Sequence, residues 1–230
     1  MTNHAALRAA AGALAAATLV LAGCGSGDSE PGATATPSVS AKAPAPVTAI
    51  DATMLLPAEG MPPWNGAIVW QEADAQDLPV PSPACRLPTP ESLGAVASFT
   101  ASYRADGSMS GSNTIMLFPD GATAQAALQE LEASMPECLQ QEGDAGPISR
   151  EAAASSWTGS QDCSFTGDPA CGENEMLFEF IGIGAQGNTA AIVSYTLIGQ
   201  DANYCMDPAV CPDPRDPVLP EVTSSLERMQ

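Results

Sequence analysis

The stretch Met176-Leu-Phe-Glu-Phe-Ile-Gly-Ile-Gly-Ala-Gln-Gly-Asn-Thr-Ala-Ala-Ile-Val-Ser-Tyr-Thr-Leu-Ile198 decides the fold. Its two apolar runs, Met176 to Ile183 and Thr189 to Ile198, are strand-length and rich in β-branched and aromatic side chains. The short glycine-containing loop Gly184-Ala-Gln-Gly-Asn188 between them predicts a β-hairpin. So apolar a pair belongs in the middle of a sheet.

Working outward, Phe99, Ala101 and Tyr103 alternate with Thr100, Ser102 and Arg104, the period of two of a half-buried strand. Asn113 to Phe118 carries the nearly continuous apolar run Ile115-Met-Leu-Phe118 of a more central strand, which Pro119-Asp120-Gly121 stops. From Asp120, a good N-cap, Ala124, Ala127, Leu128, Leu131 and Met135 recur at three and four residues. They predict a helix that Pro136 ends. Val218, Val222, Leu226 and Met229 repeat the helical spacing at the C-terminus, with Pro220 tolerated in the first turn. Four or more antiparallel strands with one helix after the second strand and another at the end predict an α+β fold. Its expected form is a twisted antiparallel sheet with helices packed on one face and disulfides stabilising it.

The other end of the chain fixes an address. An apolar, alanine-rich leader beginning near Arg8 closes on Leu21-Ala22-Gly23-Cys24, which reads as a bacterial lipoprotein signal with Cys24 as the lipidated residue. The leader, Leu7 to Gly23, is shorter than the roughly 20 apolar residues of a membrane span. Anchoring is therefore assigned to acyl chains on Cys24, at the extracytoplasmic face of the cell membrane. The expected organisation is a signal peptide over 1–23, the lipidated cysteine with an Ala/Pro/Ser/Thr tether over 24–49, and one globular domain over 50–230. The tether has too few bulky apolar side chains to fold, and its Ala43-Pro-Ala-Pro46 run favours an extended spacer.

Six cysteines remain after Cys24: Cys85, Cys138, Cys163, Cys171, Cys205 and Cys211. An even set in an oxidising compartment predicts disulfides, with fifteen connectivities open in principle. The pairing favoured here is Cys85–Cys138, Cys163–Cys171 and Cys205–Cys211, the last two being close neighbours across turn-rich loops. The chain-entropy argument gives the long loop roughly 4 kcal/mol and each short one roughly 2.5 kcal/mol. A zinc site is the rival reading, but the cysteine spacings are wider than structural zinc ligands use.

Charge and composition exclude several classes. The chain carries 27 acidic and 7 basic residues, net −20, and loses Arg8 with the leader. The remaining basic residues, Lys42, Arg86, Arg104, Arg150, Arg215 and Arg228, are scattered, so no nucleic-acid partner is expected. His4 is the only histidine and lies in the leader, and Lys42 lies in the tether. Histidine-dependent triads and lysine-dependent nucleophiles are thereby closed to the domain. Glu173, Glu175 and Glu179 remain as a conceivable carboxylate pair for glycoside hydrolysis. Asp201, Asn203, Asp207, Asp213 and Asp216 supply oxygen ligands in one loop, but Met206 stands where a calcium-binding EF-hand loop needs glycine. No catalytic residue, cofactor or metal is assigned. Trp64, Trp70 and Trp157 are read as packing residues or, alternatively, as the lining of a groove over the sheet.

A family resemblance runs along most of 50–230. Leu55-Leu-Pro-Ala-Glu-Gly-Met-Pro62, Trp64, Cys85, Phe99 to Tyr103 and the passage Phe118-Pro-Asp-Gly-Ala-Thr-Ala-Gln-Ala-Ala127, ending in Cys138, follow in that order. In this order and spacing the chain resembles the extracellular sensor-like domains of actinobacterial lipoproteins and of a mycobacterial serine/threonine kinase. The resemblance implies a twisted antiparallel sheet with packed helices, disulfides and a cleft for an unknown ligand. It implies no particular ligand residues. The expected function is a membrane-anchored, non-catalytic binding or sensing module for a small ligand or envelope protein. The alternatives are an accessory lipoprotein acting through a protein partner, and a carboxylate-based hydrolase.

Overall fold

The hairpin forms, and with a tighter turn than its composition predicts. In the computed structural model its arms run Met176–Gln186 and Thr189–Gly199, so only Gly187 and Asn188 remain between them. Gly187 has φ +60°, a conformation that glycine adopts without penalty. The Asn188 side chain then closes the turn against two other segments. Its amide donates to the carbonyls of Val47 and Phe118 at 2.9 and 3.1 Å, and its Oδ1 accepts from the Val47 N–H at 2.9 Å. The chain is thus bonded to the sheet from Val47 on, a position whose composition places it in the tether.

The structure describes residues 45–62, 68–105, 108–139, 149–151, 153–162, 175–199 and 218–230. They contain β1 (Gln71–Ala73), β2 (Ala97–Ala105), β3 (Met109–Leu117), α1 (Gly121–Cys138), β4 (Ser149–Arg150), β5 (Ala154–Asp162), β6 (Met176–Gln186), β7 (Thr189–Gly199) and α2 (Leu219–Arg228). All seven strands join one antiparallel sheet in the order β1-β2-β3-β7-β6-β5-β4. The fold is α+β, and the hairpin occupies the middle of its sheet. β5 carries no apolar alternation of its own, since Ser155, Ser156, Gly159, Ser160 and Gln161 dilute Trp157. Pairing with β6 makes it a strand.

Asp120 caps α1 as expected, its Oδ1 accepting from the Thr123 N–H at 2.8 Å. The helix does not stop at Pro136. It runs to Cys138, and the Leu139 N–H reaches the Met135 carbonyl at 2.9 Å. In the last turn the proline forfeits one hydrogen bond, which the buried Met135 and Leu139 outweigh by packing on the sheet.

The two helices do not share a face. α1 packs Ala124, Ala127, Leu128, Leu131 and Met135 on Met116, Ile181, Ile183, Ala190 and Ile192. α2 packs Val222, Leu226 and neighbours on Ile115, Phe180, Ala191 and Val193. These two sets alternate along the same strands, so they point to opposite sides of the sheet. The expectation of helices on one face is corrected for a physical reason: β3, β6 and β7 are apolar at both parities, and each face needs a cover. α2 approaches closely because Gly182 and Gly184 have no side chains. A Cβ on Gly182 would lie 2.5 Å from Val222 Cγ2, and one on Gly184 would lie 2.9 Å from Leu226 Cδ1.

Beyond the helices, each face is completed by a loop segment. On the α2 face, residues 50–62 bury Ile50, Leu56 and Met61 beside Tyr103, Met109 and Tyr195. On the α1 face, the segment around Val80 buries that side chain with Leu177 and Ile198. A disulfide joins Cys85 to Cys138, with Cα atoms 5.1 Å apart, and so ties this second segment to the end of α1.

Candidate functional site

The recess that the α2 face leaves open is built around one polar side chain in the core. Asn113 stands at a core parity of β3, between Gly111 and Ile115, and is wholly buried. Its Oδ1 accepts from the Leu56 N–H at 2.9 Å, and its Nδ2 donates to the Ile192 carbonyl at 3.2 Å and to Ser225 Oγ at 3.0 Å. The Tyr103 hydroxyl donates to the Leu56 carbonyl, and burial pushes that phenol well above its ordinary pKa. Both backbone groups of Leu56 are therefore satisfied by side chains rising from the sheet, as a neighbouring strand would satisfy them. From the other side Arg228 of α2 donates to the carbonyls of Thr53 and Met54 at 2.8 and 3.1 Å.

Between these two supports lies a cleft of about 560 Å³, open to solvent. One wall is the 56–61 segment, with Leu56, Pro57, Glu59, Gly60 and Met61, and the other is α2, with Glu221, Ser224, Glu227 and Arg228. Its volume lies in the range that small-molecule sites occupy. Leu56, Pro57 and Met61 give it an apolar lining beside three carboxylates and a guanidinium.

The opposite face holds the second unusual group. Glu179 of β6 is 3% exposed. Its carboxylate accepts from the Cys85 N–H at 3.1 and 3.2 Å, and the Ala84 amide also bonds to it. Burial raises its pKa to about 7, the two amides opposing the rise. A water-sized recess lined by Leu139, Gly159, Ser160, Gln161 and Leu177 adjoins it.

The residues singled out by the sequence reading fall as follows. Trp70 and Trp157 are 6% and 2% exposed. The Trp70 indole donates to the Pro62 carbonyl at 2.8 Å and packs edge-on against Tyr195, while Trp157 sits beneath α1. Both are packing residues and neither lines a groove, because each indole is needed to fill its layer of the core. Trp64 lies outside the described residues. Glu175 precedes β6 and Glu179 lies within it, four positions apart. At about 3.3 Å per residue that puts their Cα atoms about 13 Å apart, and Glu179 is buried, which does not suit a carboxyl pair flanking one glycosidic bond. Glu173 lies outside the described residues, as do Cys24, Cys163, Cys171, Cys205, Cys211 and the aspartates of the 201–216 loop. Among the described residues, no three His, Cys, Asp or Glu side chains converge to hold a metal ion, and no helix is long and apolar enough to cross a membrane.

Sequence reasoning missed Asn113, Glu179 as a buried carboxylate, and the cleft. The signal for the first two was present: each is a polar residue at a core parity of an apolar strand, which requires a bonding partner from elsewhere in the chain. Nothing local identifies that partner.

No protein family and no curated protein matches the chain. Among solved structures, it is similar to the extracellular domain of PknH from Mycobacterium tuberculosis, with a TM-score of 0.29 and 10% identity over 60% of this chain. The match spans 66% of that domain, just under two thirds of its length. Nothing about ligand or activity follows from a likeness at this level.

Proposed function

We propose that the chain is an extracytoplasmic lipoprotein, anchored through acyl chains on Cys24, whose domain is a non-catalytic binding or sensing module. The observation that carries the reading is the cleft between residues 56–61 and α2. Asn113 and Tyr103 fasten its walls to the sheet, and Arg228 of α2 ties one wall to the other, which suits pre-organised recognition. The absence of histidine after residue 4 and of lysine after residue 42, with the wide spacing of Glu175 and Glu179, favours binding over catalysis. The apolar lining beside charged groups suits a ligand with an apolar body and a polar end.

Two measurements test this. Fatty-acid labelling of the full chain in its host should mark the wild type and not Cys24→Ala, and equal labelling of both removes the anchor. Tryptophan emission of the Cys24→Ala protein should respond to an envelope lipid or glycan fraction. Ser224→Tyr, at an exposed lip of the cleft, should abolish that response, and an undiminished response removes the cleft.

A second reading has one observation behind it. The outer edge of β2 from Ala97 to Ala101 has no strand beside it among the described residues, and Val96 and Phe99 there are 63% and 36% exposed. An accessory role through a protein partner would use such an edge. Crosslinking on intact cells from Thr100 would then capture one partner reproducibly.

A further inference from the structure

The cleft between residues 56–61 and α2 carries a charge balance that selects among ligands. Its walls hold Glu59 on one side and Glu221 and Glu227 on the other, against Arg228. The Arg228 guanidinium is committed to the fold, since its Nε and Nη2 donate to the carbonyls of Met54 and Thr53 at 3.1 and 2.8 Å. No second cation comes to its aid. Arg150 pairs with Glu132 of α1 at 3.1 Å, Arg104 stands at the parity opposite to Tyr103, and Arg86 follows the cysteine that is bonded to α1. Among the described residues Arg228 is thus the basic side chain on the α2 side of the sheet.

Two further observations add to the negative field. Glu227 and Arg228 belong to the last turn of α2, where the helix dipole presents its negative end. The Tyr103 phenol, which bonds the Leu56 carbonyl at the cleft wall, feels the Glu72 carboxylate of β1 more strongly than the Arg228 guanidinium.

We propose that the cleft takes an amphipathic cation with N–H donors: its apolar body lies against Leu56, Pro57 and Met61, and an ammonium or guanidinium group at its end is held by Glu59, Glu221 and Glu227. This ligand chemistry rests on the reading of the cleft as the module's binding site. The acceptors decide which cation fits. Carboxylates only accept hydrogen bonds, so they favour a cation that donates. A quaternary ammonium has no N–H to give and is recognised by aromatic faces instead, and among the described residues no aromatic side chain lines the cleft. A fatty acid or a phosphate would meet the three carboxylates as like charges.

Four probes with the same eight-carbon chain test this: octylamine, octyltrimethylammonium, octanol and octanoate. Each is titrated into the full-length Cys24→Ala protein, with the amide resonances of Leu56, Gly60 and Ser224 reporting occupancy of the cleft. Octylamine should bind about 10-fold or more tighter than octanol, the size of one charge-assisted hydrogen bond, and octanoate should bind weakest. Glu59→Gln with Glu227→Gln, two exposed side chains from opposite walls, should remove that preference. Glu130→Gln with Glu137→Gln removes the same charge from exposed positions of α1 on the other side of the sheet, and should leave the preference intact. An amine preference that the α1 pair lowers as much as the cleft pair is general attraction to an acidic chain and overturns the proposal. Octyltrimethylammonium binding as tightly as octylamine also overturns it. If octanol and octylamine move the cleft amides equally and Ser224→Tyr abolishes both responses, the cleft binds and only its cationic preference falls. If no probe moves those amides, the preference falls together with the cleft.

Discussion

Asn113 and Leu56 are bonded as if a strand edge met them, although one is a side chain in the sheet and the other is backbone in a loop. Asn113 Oδ1 takes the Leu56 N–H, while Asn113 Nδ2 holds Ser225 of α2. A single amide therefore sets the separation of the two walls of the cleft. Asn113→Ala should leave the Leu56 N–H and the Ser225 hydroxyl buried without these partners, at roughly 2–4 kcal/mol. Melting should fall by about 10 °C, and the Leu56 amide should lose exchange protection first. Ser225→Ala, which removes one of these bonds, should cost only about 1 kcal/mol. A melting temperature for Asn113→Ala within a degree of wild type would contradict this role.

Global stability should depend on pH through Glu179. Its folded pKa of about 7 lies above the ordinary 4.5, so between these values the folded state holds more protons than the unfolded one. Stability is then greatest below about pH 4.5 as far as this group is concerned, and it falls as pH rises to 7. The full difference is about 3 kcal/mol. Chemical denaturation of the wild type and Glu179→Gln at pH 5 and pH 8 isolates it from the general self-repulsion of an acidic chain. The variant should lose most of the difference.

Cys85 and Cys138 close a loop of 53 residues. The chain-entropy model predicts that Cys85→Ser with Cys138→Ser destabilises by about 4 kcal/mol. Denaturant midpoints should shift to match, and wild type treated with a thiol reductant should approach the double variant.

Gly182 is required by contact. A Cβ there meets Val222 Cγ2 at 2.5 Å and Val218 Cγ2 at 3.2 Å, so Gly182→Ala should cost about 1–3 kcal/mol. Adding Val222→Ala makes room for the new methyl. The double-mutant cycle should show a favourable coupling of about 1 kcal/mol, and strict additivity would mean that α2 gives way instead.

Elements that carry their own periodicity were legible without a structure. The hairpin, β2, β3, α1 with its Asp120 cap and the closing helix each announce themselves through the spacing of apolar side chains, because burying one face of a strand or helix fixes a period. β5 was not legible, since serines and glycines hide its one large apolar residue and only the free edge of β6 recruits it. The run past Pro136 was likewise invisible, as it depends on what Met135 and Leu139 bury.

By itself the sequence determined the α+β class, the central place of the 176–198 hairpin and the lack of histidine and lysine chemistry in the domain. All of these are properties of local pattern or of composition. The tertiary structure alone decided that the helices cover opposite faces, that Asn113 and Glu179 are bonded inside the sheet, and that a cleft opens between residues 56–61 and α2. Each of these depends on a contact between residues far apart in the chain, and a buried polar group states only that it needs a partner, never which one.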